Sequence, residues 1–190
     1  MPIDQLLAIL RAEPDDIAAW HRTLDLLRRS TPSDLWDALP PMDIQRDTKA
    51  AADWLRRALE EPVGPLGVYL GLDTLNMDAG AGHNVEIGWK TRLNVEDGGT
   101  DWIYSGLAYG PDHLIEGLCE LHATYSRPEW EELFSSADYM LFLGYSAVVL
   151  RGAIRSTPLP RPLLASWGFH DGDMFLLGLL TDQGFTTIAE

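Results

Sequence analysis

Gly67-Val-Tyr-Leu-Gly-Leu-Asp73 is the stretch whose reading decides the fold. Val68, Leu70 and Leu72 alternate with Gly67, Tyr69 and Gly71. A period of two places one set on each face of an extended strand. The chain before it has a different period. Ile17, Trp20, Leu24 and Leu27 recur at helical spacing, and so do Ala51, Trp54, Leu55, Ala58 and Leu59. Such spacing makes one apolar stripe on a helix. Asp15-Asp16 follow Pro14 where a helix N-terminus favours acids, and Arg28-Arg29 stand where its last turn is expected. Pro40-Pro41 and Pro62 punctuate the helical part. Residues 1–65 therefore read as a helical N-terminal part and residues 66–190 as a sheet-containing part of a single α+β domain.

Downstream of Asp73, Val85, Ile87 and Trp89 alternate with Glu86, Gly88 and Lys90. The glycine-containing link Asp78–Asn84 suits a hairpin between the two strands. A third strand is expected at Trp102–Tyr109. A helix is expected from Pro111 to Tyr125, with Leu114, Ile115, Leu118 and Leu121 on its apolar face. Another begins near Glu129, and residues 137–155 read as a buried helix. Leu163–Phe169 and Met174–Leu180 form two closing strands joined by His170-Asp171-Gly172-Asp173. The last strand is apolar on both faces, which suggests a central position. The expected fold is an antiparallel sheet of about five strands covered by the N-terminal and central helices.

Composition narrows the function. The net charge is −15, and residues 66–138 hold thirteen acids against three bases. Charge of one sign steers association with a partner of the opposite sign. Direct nucleic-acid binding is disfavoured, because phosphate contacts want clustered cations and the chain has only two lysines. The longest uncharged apolar run, Tyr139–Leu150, is twelve residues. A membrane span needs about 20, so no membrane association is expected. One cysteine, Cys119, excludes an internal disulfide framework, and it reads as a buried or partly buried, unreactive thiol. No signal-peptide pattern opens the chain, and a cytoplasmic location is expected.

Each motif has a plain structural alternative. Gly144-Tyr-Ser-Ala-Val148 approaches a nucleophile elbow, but Val148 stands where a glycine relieves crowding around the strained serine, so Ser146 reads as a helix-interior residue. His170, Asp171 and Asp173 are the candidate catalytic residues, yet Asp-Gly supplies a hairpin turn and metal sites need more converging ligands. His113, Glu116 and Glu120 read as one solvated helix face. Neither a metal nor a cofactor is expected.

Gly67–Asp73 and Gly168-Phe-His-Asp-Gly-Asp-Met-Phe-Leu-Leu-Gly178 resemble segments of uncharacterised small acidic bacterial proteins. Those proteins pair a Gly-aromatic-x-Gly strand with a late Gly-Phe-Asp-x-Gly-Asp turn, where His170 here replaces an aspartate. Some small acidic bacterial proteins of this look are immunity proteins of toxin systems, and the likeness of size and charge implies no enzymatic activity. Three classes stay open. The favoured one is a non-catalytic acidic binding protein, an immunity-type inhibitor of a basic protein, binding through Asp73, Asp78, Glu86, Glu96, Asp97 and Asp101. The second is an enzyme or small-ligand binder using Asp73, Glu86, His170 and Asp173. The third is a structural or homo-oligomeric scaffold.

Overall fold

The computed structural model describes residues 3–60, 66–74, 83–91, 103, 107–169 and 173–188. Helices α1 (Ile3–Ala12), α2 (Asp16–Ser30) and α3 (Ile44–Ala58) come first, with a 3-10 turn at Asp34–Ala38. Strands β1 (Leu66–Thr74), β2 (His83–Thr91), β3 (Ala108–Tyr109) and β4 (His113–Leu114) follow. Then come α4 (Glu116–Tyr125), a 3-10 turn at Pro128–Trp130, and the long helix α5 (Glu131–Ser156). Strands β5 (Leu163–Phe169), β6 (Met174–Thr181) and β7 (Gly184–Thr187) complete the described chain.

The fold is α+β, but among the described residues the sheet has seven strands and is mixed. Its order is β3-β2-β1-β5-β6-β7, and β4 also pairs with β2. β1 and β5 run parallel, with Leu66 opposite Leu163 and Leu72 opposite Phe169. The expected all-antiparallel sheet fails here because α4 and α5 return the chain before β5 enters. A crossover of that length permits a parallel neighbour. The β1–β2 and β5–β6 pairs are antiparallel as expected. β7 adds a strand beyond the two closing strands that the alternation predicts: Asp182-Gln183-Gly184 turns the chain, and Gly184 takes a φ of 114° that favours glycine. Of the strand expected at Trp102–Tyr109, Ala108–Tyr109 is a strand, Ile103 and Leu107 are not, and residues 102 and 104–106 lie outside the described residues. The helix expected from Pro111 starts only at Glu116, because His113 and Leu114 pair with Val85 and Asn84 of β2. Leu114, expected on an apolar helix face, is exposed.

Val68, Leu70, Leu72, Val85, Ile87, Ala165, Trp167 and Leu177 pack in one apolar cluster with the body of α5. Trp167 is fully buried and its Nε1 donates to the carbonyl of Leu143 at 3.3 Å. Burying an apolar side chain of that size stabilises by about 1.5–3 kcal/mol. The stretch Ala137–Ser156 of α5 is long and apolar enough to cross a membrane, but 89% of its apolar window is buried inside the fold. A helix apolar on all sides is one that is covered on all sides. The sheet covers one side of α5, and α2 and α3 cover another. The N-terminal helices thus pack chiefly on α5 rather than directly on the sheet. Trp54 of α3 reaches the sheet edge, where it stacks on His113 at 5.1 Å and donates to the carbonyl of Pro111 at 2.7 Å.

Two buried charges register the helices. Asp47 on α3 is 2% exposed. Its Oδ2 accepts from Gly117 N and Tyr145 Oη, both at 2.8 Å, and its Oδ1 accepts from Arg46 Nε at 2.8 Å. Residue Ile115 gives α4 no side-chain cap, so Asp47 satisfies an N-terminal amide of α4 from another helix. A Cβ at Gly117 would lie 2.4 Å from Tyr145 Oη and 2.5 Å from Asp47 Oδ2, which requires glycine at this approach. The second charge is Arg151 on α5, 0% exposed. It donates through Nε to Asp16 at the start of α2 and through Nη1 to the Leu10 carbonyl near the end of α1.

Candidate functional site

Two concavities open on the helical layer and share Ile17, Ile44 and Gln45 as walls. The first, about 510 Å³, lies between α2, the 3-10 turn and the segment 39–45. The second, about 490 Å³, lies between the first turn of α2, α3 and Ser156 at the end of α5. The two adjoin at those shared residues along α2 and α3, and the pair is called the groove below.

Local chemistry shapes it. Asp15 caps α2 by accepting from Ala18 N at 2.8 Å, and Asp43 caps α3 by accepting from Arg46 N at 2.9 Å. The 3-10 turn is tied back to α2 by Trp36 Nε1, which donates to the Thr31 carbonyl at 2.8 Å. Leu39 leaves that turn in extended backbone and Pro40-Pro41 follow, so the wall does not continue as a helix. Trp20, Leu24, Trp36 and Ile44 are buried and form the apolar floor, with Trp20 set edge-on to Tyr145 at 5.1 Å. Ile17, at the junction of the two concavities, is 40% exposed.

The rim is acidic. Asp15, Asp16, Asp37, Asp43 and Asp53 line the groove, against Arg28 and Lys49. The Asp37 side chain is 91% exposed and meets Arg28 at 3.9 Å. A pair that open contributes little stability and exchanges readily for another cation. Asp53 meets Arg56 at 3.2 Å, and Asp16 is held by Arg151. Asp15, Asp16 and Asp43 are held by bonds in their own neighbourhood, and Asp37 and Asp53 are only loosely paired. The arrangement suits holding an apolar side chain flanked by cations.

Behind the groove, the Asp47 hub carries the perturbed groups. Burial, then the bond to Asp47, pushes the Tyr145 hydroxyl's pKa up. The bond to Asp47 raises that of Arg46, which also meets Glu116 at 3.2 Å and Glu120 at 3.1 Å. Burial and the charge of Arg57 lower the pKa of His113, against an opposing pull from Asp47. His113 Nε2 is buried and finds no hydrogen-bond partner among the described residues.

The residues singled out from the sequence are placed as follows. Asp73 on β1 stands opposite Asn84, and Glu86 on β2 stands opposite Gly71, so the two are near neighbours in register. Asp173 precedes β6, is exposed, and accepts from Tyr139 Oη at 3.5 Å. β2 and β6 are three strand spacings apart, about 14 Å, so Glu86 and Asp173 are not brought together by the backbone. Asp78, Glu96, Asp97, Asp101, His170 and Asp171 lie outside the described residues. Ser146 is fully buried inside α5 and donates to the Leu143 carbonyl at 3.0 Å, as a helix-interior serine does. Cys119 is partly buried. His113, Glu116 and Glu120 do not share a helix face: His113 is on β4, and the two glutamates clasp Arg46. Among the described residues, no group of three or more His, Cys, Asp or Glu is placed to hold a metal ion.

Sequence reading missed the groove. Its one signal was Pro40-Pro41 between two amphipathic helices, a hint that the linking segment stands off the helices it joins. Asp47 was legible in principle: it falls four residues before Ala51, on the apolar stripe, where a charge needs buried partners. No family model, curated protein or solved structure matches the chain.

Proposed function

We propose that this protein is a non-catalytic acidic binding protein, an immunity-type inhibitor that acts on a basic protein. The observation that carries the reading is the groove along α2 and α3: an apolar floor of Trp20, Leu24, Trp36 and Ile44 inside a rim of five aspartates and two cations. Asp15 and Asp43 are held as helix caps and Asp16 by Arg151, while Asp37 and Asp53 are open carboxylates in weak surface pairs. A net charge of −15 adds long-range attraction for a cationic partner. The acids of the 73–101 segment add to that attraction whichever surface makes the contact.

The test begins with affinity capture from the native host at low and at high salt. Each captured protein is then purified and titrated against the acidic protein. The reading expects a basic partner whose dissociation constant rises steeply with salt. If no purified protein of net positive charge binds at low salt, the reading fails.

A further inference from the structure

We infer that the groove along α2 and α3 receives a cationic amphipathic helix of the partner, seated with an apolar side chain at Ile17. The inference rests on the binding-protein reading above and names what fills its site.

Three observations select this occupant. The first is composition. The floor is apolar and Ile17 projects from the junction of the two concavities at 40% exposure, while exposed Asp15, Asp37, Asp43 and Asp53 edge it. An apolar stripe flanked by Lys or Arg matches that order of chemistry from floor to rim. The second is backbone hydrogen bonding. An extended peptide needs a free sheet edge to pair its amides and carbonyls. No strand residue lines either concavity: the walls are α2, the 3-10 turn, the segment 39–43, α3 and Ser156 at the end of α5, so no sheet edge is offered there. A helix satisfies its own backbone and brings only side chains to the groove. The third is length. From Ile17 to Arg28 the α2 wall runs about 16 Å at 1.5 Å per residue, which matches three turns of a docked helix. Its apolar residues would recur every three or four positions, meeting Ile17 and the cleft beside Trp36.

Asp37 and Asp53 supply the selectivity for charge. They stand at different ends, one in each concavity. Asp37 is open to solvent and only loosely paired with Arg28, and Asp53 is paired with Arg56 at the surface. Cations of the incoming helix replace these weak pairs at little cost.

The test uses the full chain and three synthetic 18-residue peptides. One has Leu and Lys at helical spacing, one has the same composition in strict alternation, and one has Leu and Glu at helical spacing. Binding is read by fluorescence anisotropy at low salt. The groove variant is Ile17→Lys/Asp37→Lys/Asp53→Lys. The control is Glu96→Lys/Asp97→Lys/Asp101→Lys, which makes a similar change in net charge. Circular dichroism checks that both keep their helix content and melting temperature. The proposal expects the helical Leu/Lys peptide to bind best. It expects the groove variant to weaken that binding about tenfold or more, and the control to change it less than about threefold. Equal weakening by both variants, or weakening by the control alone, overturns the groove while leaving an acidic binding protein standing. Equal binding of the alternating peptide overturns the helix. If light scattering shows that the groove variant changes self-association without changing peptide affinity, the groove joins copies of this chain and the proposal is overturned. If the wild type binds none of the peptides, the proposal is overturned, and the reading beneath it is then decided by the purified basic partner.

Discussion

Helix α5 meets its two neighbours by different chemistry. Toward the sheet its buried contacts are apolar or aromatic: Tyr139 stacks on Phe169 at 4.9 Å and the buried indole of Trp167 bonds a backbone carbonyl, while its polar contacts there, Tyr139 to Asp173 and Arg155 to Thr187, lie at the exposed surface. Toward the helices it sends Tyr145 to Asp47 and Arg151 to Asp16 and the Leu10 carbonyl. Apolar contact is non-directional and tolerates small slides. A buried charge does not, because losing its partner leaves an uncompensated ion. The two charges therefore fix where α1, α2, α3 and α4 sit on α5, and that placement gives the groove its width.

The largest effect that would break this contrast is at Asp47. Asp47→Ala strands the buried Tyr145 hydroxyl and the Gly117 amide together, while Arg46 keeps Glu116 and Glu120, so it should cost about 1–3 kcal/mol for each stranded group in urea unfolding. A cost below about 1 kcal/mol is the size seen at surface sites, and would mean that apolar packing alone positions the helices.

A smaller effect sharpens the same point. Gly117→Ala adds one methyl group between α4, Tyr145 and Asp47. Overpacking of that kind costs about 1–3 kcal/mol. Gly117→Ala combined with Tyr145→Phe should cost less than the sum of the two single changes, because removing the hydroxyl relieves the nearest clash. Strict additivity would show that the α4 start is not in contact with Tyr145.

The smallest expected effect is on the pH profile. Burial lowers the His113 pKa below its ordinary value near 6.5, and burial lowers that of His122 as well. Well above about pH 6.5 the imidazole is neutral in both folded and unfolded chains, so nothing is lost. As pH falls below that value the unfolded chain takes up protons that the folded chain resists, and stability drops. The wild type should lose more stability between pH 7.5 and 5.5 than His113→Gln does, measured by urea midpoints. Equal losses would place His113 in water in the folded state.

The sequence read well wherever local period decides structure. α2, α3, the β1–β2 pair and the β5–β6 pair follow from the spacing of Trp20, Trp54, Val68 and Trp167 with their neighbours. It read poorly wherever a distant segment overrides local preference. His113 and Leu114 look helical beside Ile115 and Leu118, yet β2 pairs with them first. β1 and β5 pair across about ninety intervening residues of sequence, so nothing local reveals their parallel direction. Glu116 and Glu120 look like a solvated face because Arg46 lies seventy residues earlier in the chain. The groove was hidden for the same reason: Ile17 reads as one more residue of the apolar stripe of α2, and Asp37 and Asp53 as ordinary surface residues, until α5 draws their helices together.

The rate of association with the purified basic partner, measured by stopped flow across ionic strength, tests the central claim most directly. The account predicts a rate that falls steeply as the Debye length shrinks below about 10 Å, and that falls again in the Ile17→Lys/Asp37→Lys/Asp53→Lys variant. A rate that ignores both the salt and the variant would contradict it.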